Sequence, residues 1–140
     1  MWESMAKSEF LEDDFCTKDY IIEHWNYIDG RILLSADLEW IGCFFCSTQE
    51  FDFNKKGLHF LQICVFPKYK GKGYSKYLMK IGFDQSVGIQ KSACINSKNI
   101  TSIKLFEKYG FIETGVYCNW NVYICDKNYY PNELKGIEIY

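Results

Sequence analysis

Arginine is almost missing from this chain of 140 residues: Arg31 stands alone among 16 lysines and arginines. The bidentate contacts to phosphates and base edges that arginine makes best are therefore nearly absent. With 18 acids and a net charge of −2, no broad basic surface is expected, which argues against nucleic acid as a partner. Proline is scarce, at Pro67 and Pro131 only, and no linker, repeat or low-complexity tract interrupts the chain. No run of about 18 apolar residues occurs, so no membrane span is expected. Met1 to Phe15 carry acids early and hold no apolar stretch of signal-peptide length, and a cytoplasmic location is expected. Histidine is limited to His24 and His59. The seven cysteines are odd in number and irregular in spacing, and read as reduced thiols. Cys43 and Cys46 form one C-x-x-C in a strand-like run. Positions three apart on a strand point to opposite faces, and no second pair completes a zinc site. No metal is expected.

Apolar residues make up 48% and aromatics 19% of the chain, enough for the core of one domain over residues 1–140. Residues 3–28 read as helical, with apolar positions at Met5, Phe10, Leu11 and Phe15, then Tyr20, Ile21, Trp25 and Ile28. Asp29-Gly30 reads as a turn before a short strand from Arg31 to Ser35. A second strand runs from Trp40 to Cys46, and Ser47 to Gly57 is a polar loop. Leu58 to Phe66 is nearly all apolar, as a strand buried on both faces would be, and Pro67 stops it. Tyr74 to Val87 has helical spacing with Gly88 past its end. Ile89 to Ile95 is a strand. Asn99 offers an N-cap for a helix through Tyr109, ended by Gly110. Two further strands joined near Asp126-Lys127-Asn128 complete a mixed sheet with covering helices, an α/β (α+β) arrangement rather than a plain βα array.

The segment from Lys68 to Gly73 lies between a buried strand and a helix. The first turn of a helix has unpartnered N–H groups and partial positive charge, and glycines let an anion approach the backbone. Gly71 and Gly73 supply the space. Lys68, Lys70 and Lys72 supply charge, followed by Lys76 and Lys80. The loop is no P-loop, since Gly71-Lys72-Gly73-Tyr74-Ser75 lacks the G-K-[ST] ending. It is no dinucleotide fingerprint either, since Lys76 stands where the third glycine belongs.

Val65 to Leu78 resembles the acetyl-CoA motif of the GNAT superfamily, a strand followed by [Q/R]-x-x-G-x-[G/A] and a helix. Asn99 to Phe111 resembles that family's second motif, an asparagine before a helix ending L-Y-E-K-x-G-F. The resemblance covers residues 30–140 and implies an acetyl-CoA-dependent N-acetyltransferase acting on a primary amine by direct transfer. It implies a mostly antiparallel central sheet with helices on both faces and a splayed parallel strand pair, 58–66 and 89–95. Residues 58–111 would form the cofactor core and 1–30 the acceptor side. The backbone of Ile63, Cys64 and Val65 would bond the pantetheine arm. Amides of Lys70, Gly71, Lys72, Gly73, Tyr74 and Ser75 would hold the pyrophosphate, and Asn99 and Ser102 would approach the pantetheine. The loop lysines would then serve cofactor phosphates and not RNA.

Two departures stand out. Lys68 replaces the usual glutamine or arginine. Phe106 replaces a tyrosine whose hydroxyl protonates the departing thiolate, and phenylalanine has no proton to give. Tyr109 lies about 300° further round the helix. Three routes stay open: another donor (Tyr109, Tyr117 or Tyr123), protonation of the thiolate by solvent, or a module that binds acyl-CoA without catalysing. The amine must be neutral to attack, and His59 is the candidate base. It matches one histidine of the pair that arylalkylamine acetyltransferases carry, and its ordinary pKa of about 6.5 suits the task. Eight acids among the first 30 residues (Glu3, Glu9, Glu12, Asp13, Asp14, Asp19, Glu23, Asp29) would favour a cationic acceptor such as a polyamine. The resemblance implies that a homodimer is possible, since many relatives pair through their C-terminal strands; Trp120, Tyr123, Tyr129 and Tyr130 would form such a surface or belong to the core.

Overall fold

A computed structural model describes residues 18–117 and 120–139; the helical reading of residues 3–17 lies outside them. The described chain opens with α1 (Lys18–Glu23) and a 3-10 turn (Trp25–Tyr27). Strands β1 (Ile28–Leu34), β2 (Trp40–Ser47) and β3 (Leu58–Val65) follow. Then come α2 (Ser75–Gln85), β4 (Lys91–Ile95), α3 (Ile100–Lys108), β5 (Ile112–Tyr117) and β6 (Trp120–Cys125). The six strands form one sheet in the order β1-β2-β3-β4-β6-β5. All neighbours are antiparallel except β3 and β4. The mixed, mostly antiparallel sheet with one parallel pair is the expected architecture.

Two expectations about boundaries need correction. Asp29 and Gly30 are not a turn but part of β1, paired with Cys46 and Phe45. A Cβ on Gly30 would lie 2.5 Å from the Phe45 ring, so this glycine answers to close packing. The last two strands do not join near Asp126. β5 ends at Tyr117 and β6 begins at Trp120, and the turn at Asp126 follows β6. Beyond it the chain runs without a strand to a 3-10 turn (Asn132–Leu134) that buries Leu134 completely.

The alternation of strand side chains divides the interior in two. On one face α2 and α3 cover Phe44, Phe60, Leu78, Met79, Phe83, Phe106 and Phe111. Edge-on aromatic contacts join these residues, with Phe44 5.0 Å from Phe60 and Phe106 4.9 Å from Phe111. On the other face lie Cys43, Phe45, Phe51, Leu61 and Phe66, with Phe53, Cys64, Cys94, Tyr117 and Trp120 against them. The loop between β2 and β3 folds onto this second face through Phe51 and Phe53. Cys43 and Cys46 sit on opposite faces, as their spacing requires.

Candidate active site

The parallel pair is short. Leu58, His59 and Phe60 pair with Lys91, Ser92 and Ala93, and pairing stops there, although β3 continues to Val65 and β4 to Ile95. A gap therefore opens in the sheet beyond Phe60. A bulge marks the parting: β2 pairs Cys46 with Phe60 and Phe45 with Gln62, which leaves Leu61 as the extra residue. Phe66 N–H donates to Ile41 O at 2.8 Å. Because antiparallel pairs alternate, Cys64 also turns its backbone toward β2, while Ile63 and Val65 turn theirs into the gap. The backbone of Cys64, expected with its neighbours to line the gap, thus faces the other way.

The gap leads to the glycine loop. A 3-10 turn (Pro67–Tyr69) follows β3. Gly71 and Gly73 have φ of +76° and +83°, and a Cβ on either would meet nothing within 4 Å. The glycines serve the left-handed backbone and leave the surface of the loop open. No side chain caps the N-terminus of α2, which leaves its first N–H groups without a side-chain partner. At α3, by contrast, Asn99 Oδ1 accepts from Ser102 N–H at 3.2 Å.

Not all loop lysines are available. Lys68 pairs with Glu39 at 2.8 Å, and the Tyr69 hydroxyl donates to the same carboxylate. Lys68, then Tyr69, hold the Glu39 carboxyl below its ordinary range. This pins the start of the loop to the turn before β2. Lys80 is held by Asp84 at 3.1 Å and Tyr130 at 3.0 Å. Lys70, Lys72 and Lys76 are left without an ion pair among the described residues.

The tyrosines are spread over both faces. Tyr117 lies on the second face with Phe53 at 5.2 Å and Phe51 at 6.2 Å. Phe51 also stands 4.8 Å from His59, so Tyr117 and His59 share that aromatic cluster. Tyr109 lies on the helical face, and its hydroxyl donates to Glu133 at 3.3 Å. Burial, then the Glu133 carboxylate, push its pKa up to about 12, which makes it a poor acid. Tyr123 is on the same face as Phe106, opposite Ala93, and burial raises its pKa. Phe106 packs against Phe60, 6.3 Å away at the root of the gap. His59 is 1% exposed, and burial pulls its pKa down to about 3, which suits it poorly to the base role.

Gln62 stands where the strands part, a position that the sequence reading did not single out. It shares a face with Phe45, its partner in β2, at the point where β3 leaves β4. Gln62 is half-buried. A single amide within the apolar run from Leu61 to Phe66 was the available signal. No group of three or more His, Cys, Asp or Glu side chains able to hold a metal occurs among the described residues. No helix among them is long and apolar enough to cross a membrane.

The family model described as the acetyltransferase (GNAT) family matches residues 1–111. No curated protein matches the chain. Among solved structures, spermidine N-acetyltransferase from Vibrio cholerae in complex with CoA and spermine is 19% identical with a TM-score of 0.63, over 88% of this chain and 84% of that one. A chimera of that enzyme, SpeG, with hSSAT is 17% identical with a TM-score of 0.64, over 88% and 86%. PaiA N-acetyltransferase from Thermoplasma acidophilum, in complex with coenzyme A, is 16% identical with a TM-score of 0.60, over 75% and 65%. At these identities the likeness is one of fold.

Proposed function

This chain belongs to the acetyltransferase (GNAT) family and is an acetyl-CoA-dependent N-acetyltransferase, and we propose that it carries out direct transfer to a primary amine in the gap between β3 and β4. One observation carries the reading: the parallel pair parts after Phe60 and opens toward an uncapped helix behind two left-handed glycines. Ile63 and Val65 offer backbone groups to the pantetheine arm. The amides from Lys70 through Gly71, Lys72, Gly73 and Tyr74 to Ser75 hold the pyrophosphate, with Lys70, Lys72 and Lys76 adding charge. The side chain of Cys64 flanks the arm. Asn99 keeps its capping bond and turns its amide nitrogen toward the cofactor beside Ser102.

The acceptor approaches from the face of Gln62 and Tyr117. Its neutral nitrogen attacks the acetyl carbonyl carbon, the C–S bond breaks, CoA leaves as a thiolate, and the proton that the nitrogen sheds passes through solvent to that thiolate. A thiol pKa of about 8.5 makes that departure easy without an acid, so Phe106 is tolerable. Tyr117 is the tyrosine on the acceptor face, and Tyr109 is committed to Glu133. The acids of the first 30 residues favour a cationic acceptor, in keeping with the spermine bound to the Vibrio cholerae relative. We place the protein in the cytoplasm as one domain over residues 1–140, with 1–30 on the acceptor side and copies pairing through the C-terminal strands.

Thiol release from acetyl-CoA, measured against a panel of polyamines, arylalkylamines and lysine peptides, tests this reading. The expected result is turnover above hydrolysis for at least one class, polyamines first. CoA binding with no turnover on any amine would sink the transfer and leave a cofactor-binding module.

A further inference from the structure

Three residue pairs are few to fix the width of the gap, and a buried polar cluster reinforces them. His59 and Ser92 form the middle pair, with Ser92 Oγ 2.8 Å from His59 Nδ1. Asn54, from the loop over that face, donates from Nδ2 to the same Oγ at 2.7 Å. All three are buried, Asn54 at 2% exposure, His59 at 1% and Ser92 at 0%. Asn54 is itself fixed. Its Nδ2 lies 3.4 Å from both Leu58 O and Gln90 O, and its Oδ1 accepts from Gln90 Nε2 at 3.2 Å. Carbonyl oxygens only accept, so the atom that faces two of them is the amide nitrogen.

The direction of the remaining bond follows. Ser92 Oγ accepts from Asn54; the buried hydroxyl must also place its own proton, and the acceptor it has for that among the described residues is His59 Nδ1. Nδ1 is then an acceptor, and the neutral ring carries its own proton on Nε2. The lone pair that a general base needs is already in use. The rings of Phe51 and Phe53 pack on the imidazole at 4.8 and 5.6 Å. Burial disfavours the imidazolium.

We propose that His59, Ser92 and Asn54 form a neutral hydrogen-bonded lock that sets how far β3 and β4 part, which makes His59 a positioning residue for the cofactor and not the base. The lock joins β3, β4 and the loop between β2 and β3 at the level of the last paired residues. On the opposite face Phe60 and Phe106 fill the same level. Polar bonds on one face and packed rings on the other thus fix the root of the gap. The inference rests on the reading of that gap as the acetyl-CoA site.

Nitrogen-15 spectra of the imidazoles, with His24 identified by its substitution, test the lock without reference to activity. His59 is expected to stay neutral, protonated on Nε2, between about pH 5.5 and 8. A midpoint between about 6 and 7 would overturn the proposal. Steady-state kinetics supply the second arm. His59→Asn returns an amide oxygen to the place of Nδ1, and its KM for acetyl-CoA should stay within about twofold of wild type. His59→Gln and Ser92→Ala break the chain of bonds, and each should raise that KM by about tenfold with kcat much less affected. Equal loss of kcat in His59→Asn and His59→Gln, with KM unchanged and the acid limb of the pH profile gone, would establish the base instead. If a variant fails to fold, the wild-type spectra decide. Calorimetry of wild-type protein with CoA separates the two levels: absent binding defeats the cofactor reading, whatever the tautomer of His59.

Discussion

Phe106 is one oxygen short of the residue that many relatives carry, and its surroundings say what restoring that oxygen would do. The ring is 6% exposed, between Phe60 and Phe111. General acid catalysis contributes about 10²–10⁴-fold where proton delivery limits the rate. A thiolate whose conjugate acid has a pKa of about 8.5 leaves well unaided. We therefore expect Phe106→Tyr to change kcat by less than about threefold at saturating substrates. The buried hydroxyl should also lower stability by about 1–3 kcal/mol, seen as a fall in Tm. A gain above about thirtyfold would show that protonation limits the natural enzyme. Gln62 shows why a single residue can escape a sequence reading. Strict alternation from His59 assigns Gln62 to the face of Phe60, beneath α2. The extra residue Leu61 reverses that phase and delivers the amide to the face of Phe45. A bulge leaves no mark in apolar periodicity, so the side chain was legible and its direction was not.

At the scale of elements, the breakers were legible and the partners were not. Pro67, Gly110 and the Asn99 cap fall at real boundaries, because each acts on its own backbone, whereas the helix expected to run to Val87 ends at Gln85, three residues before Gly88. Gly30 was misread because its reason lies in another strand, at Phe45. The Asp126 turn was misplaced because the segment after it buries Leu134 through a 3-10 turn and not a strand. The loop with α2 is the element on which cofactor binding depends, and Gly73 separates its two functions. A Cβ there meets no atom within 4 Å but must adopt φ near +83°. Gly73→Ala should cost the free protein about 1–2 kcal/mol of backbone strain. Its larger effect should fall on the cofactor, since the methyl group occupies the space an anion needs. Calorimetry is expected to show CoA affinity weakened by about tenfold or more. Equal affinity for wild type and variant would remove the pyrophosphate from this loop.

For the whole molecule, the sheet order was beyond periodicity. Placing β6 between β4 and β5 depends on pairing between residues distant in sequence. The resemblance carried by the glycine loop and the Asn99 helix implied the parallel pair of 58–66 and 89–95, and not the full order. What the order creates is a sheet joined across its middle by three residue pairs, with α2 and α3 closing one face. A ligand that bridges β3 and β4 and binds only the folded chain must then stabilise the whole. At a free CoA concentration one hundred times its dissociation constant, the gain is about 2.7 kcal/mol. At about 3 °C per kcal/mol for a chain of this length, Tm should rise by about 8 °C. Lys70, Lys72 and Lys76 have no ion pair among the described residues, so their attraction for phosphates is screened by salt. At a fixed CoA concentration the shift should therefore shrink as ionic strength rises from about 0.05 to 0.5 M. Dephospho-CoA, which lacks one phosphate, should show a smaller shift with a weaker salt dependence. A Tm unmoved by either ligand would mean that the gap between β3 and β4 does not hold the cofactor.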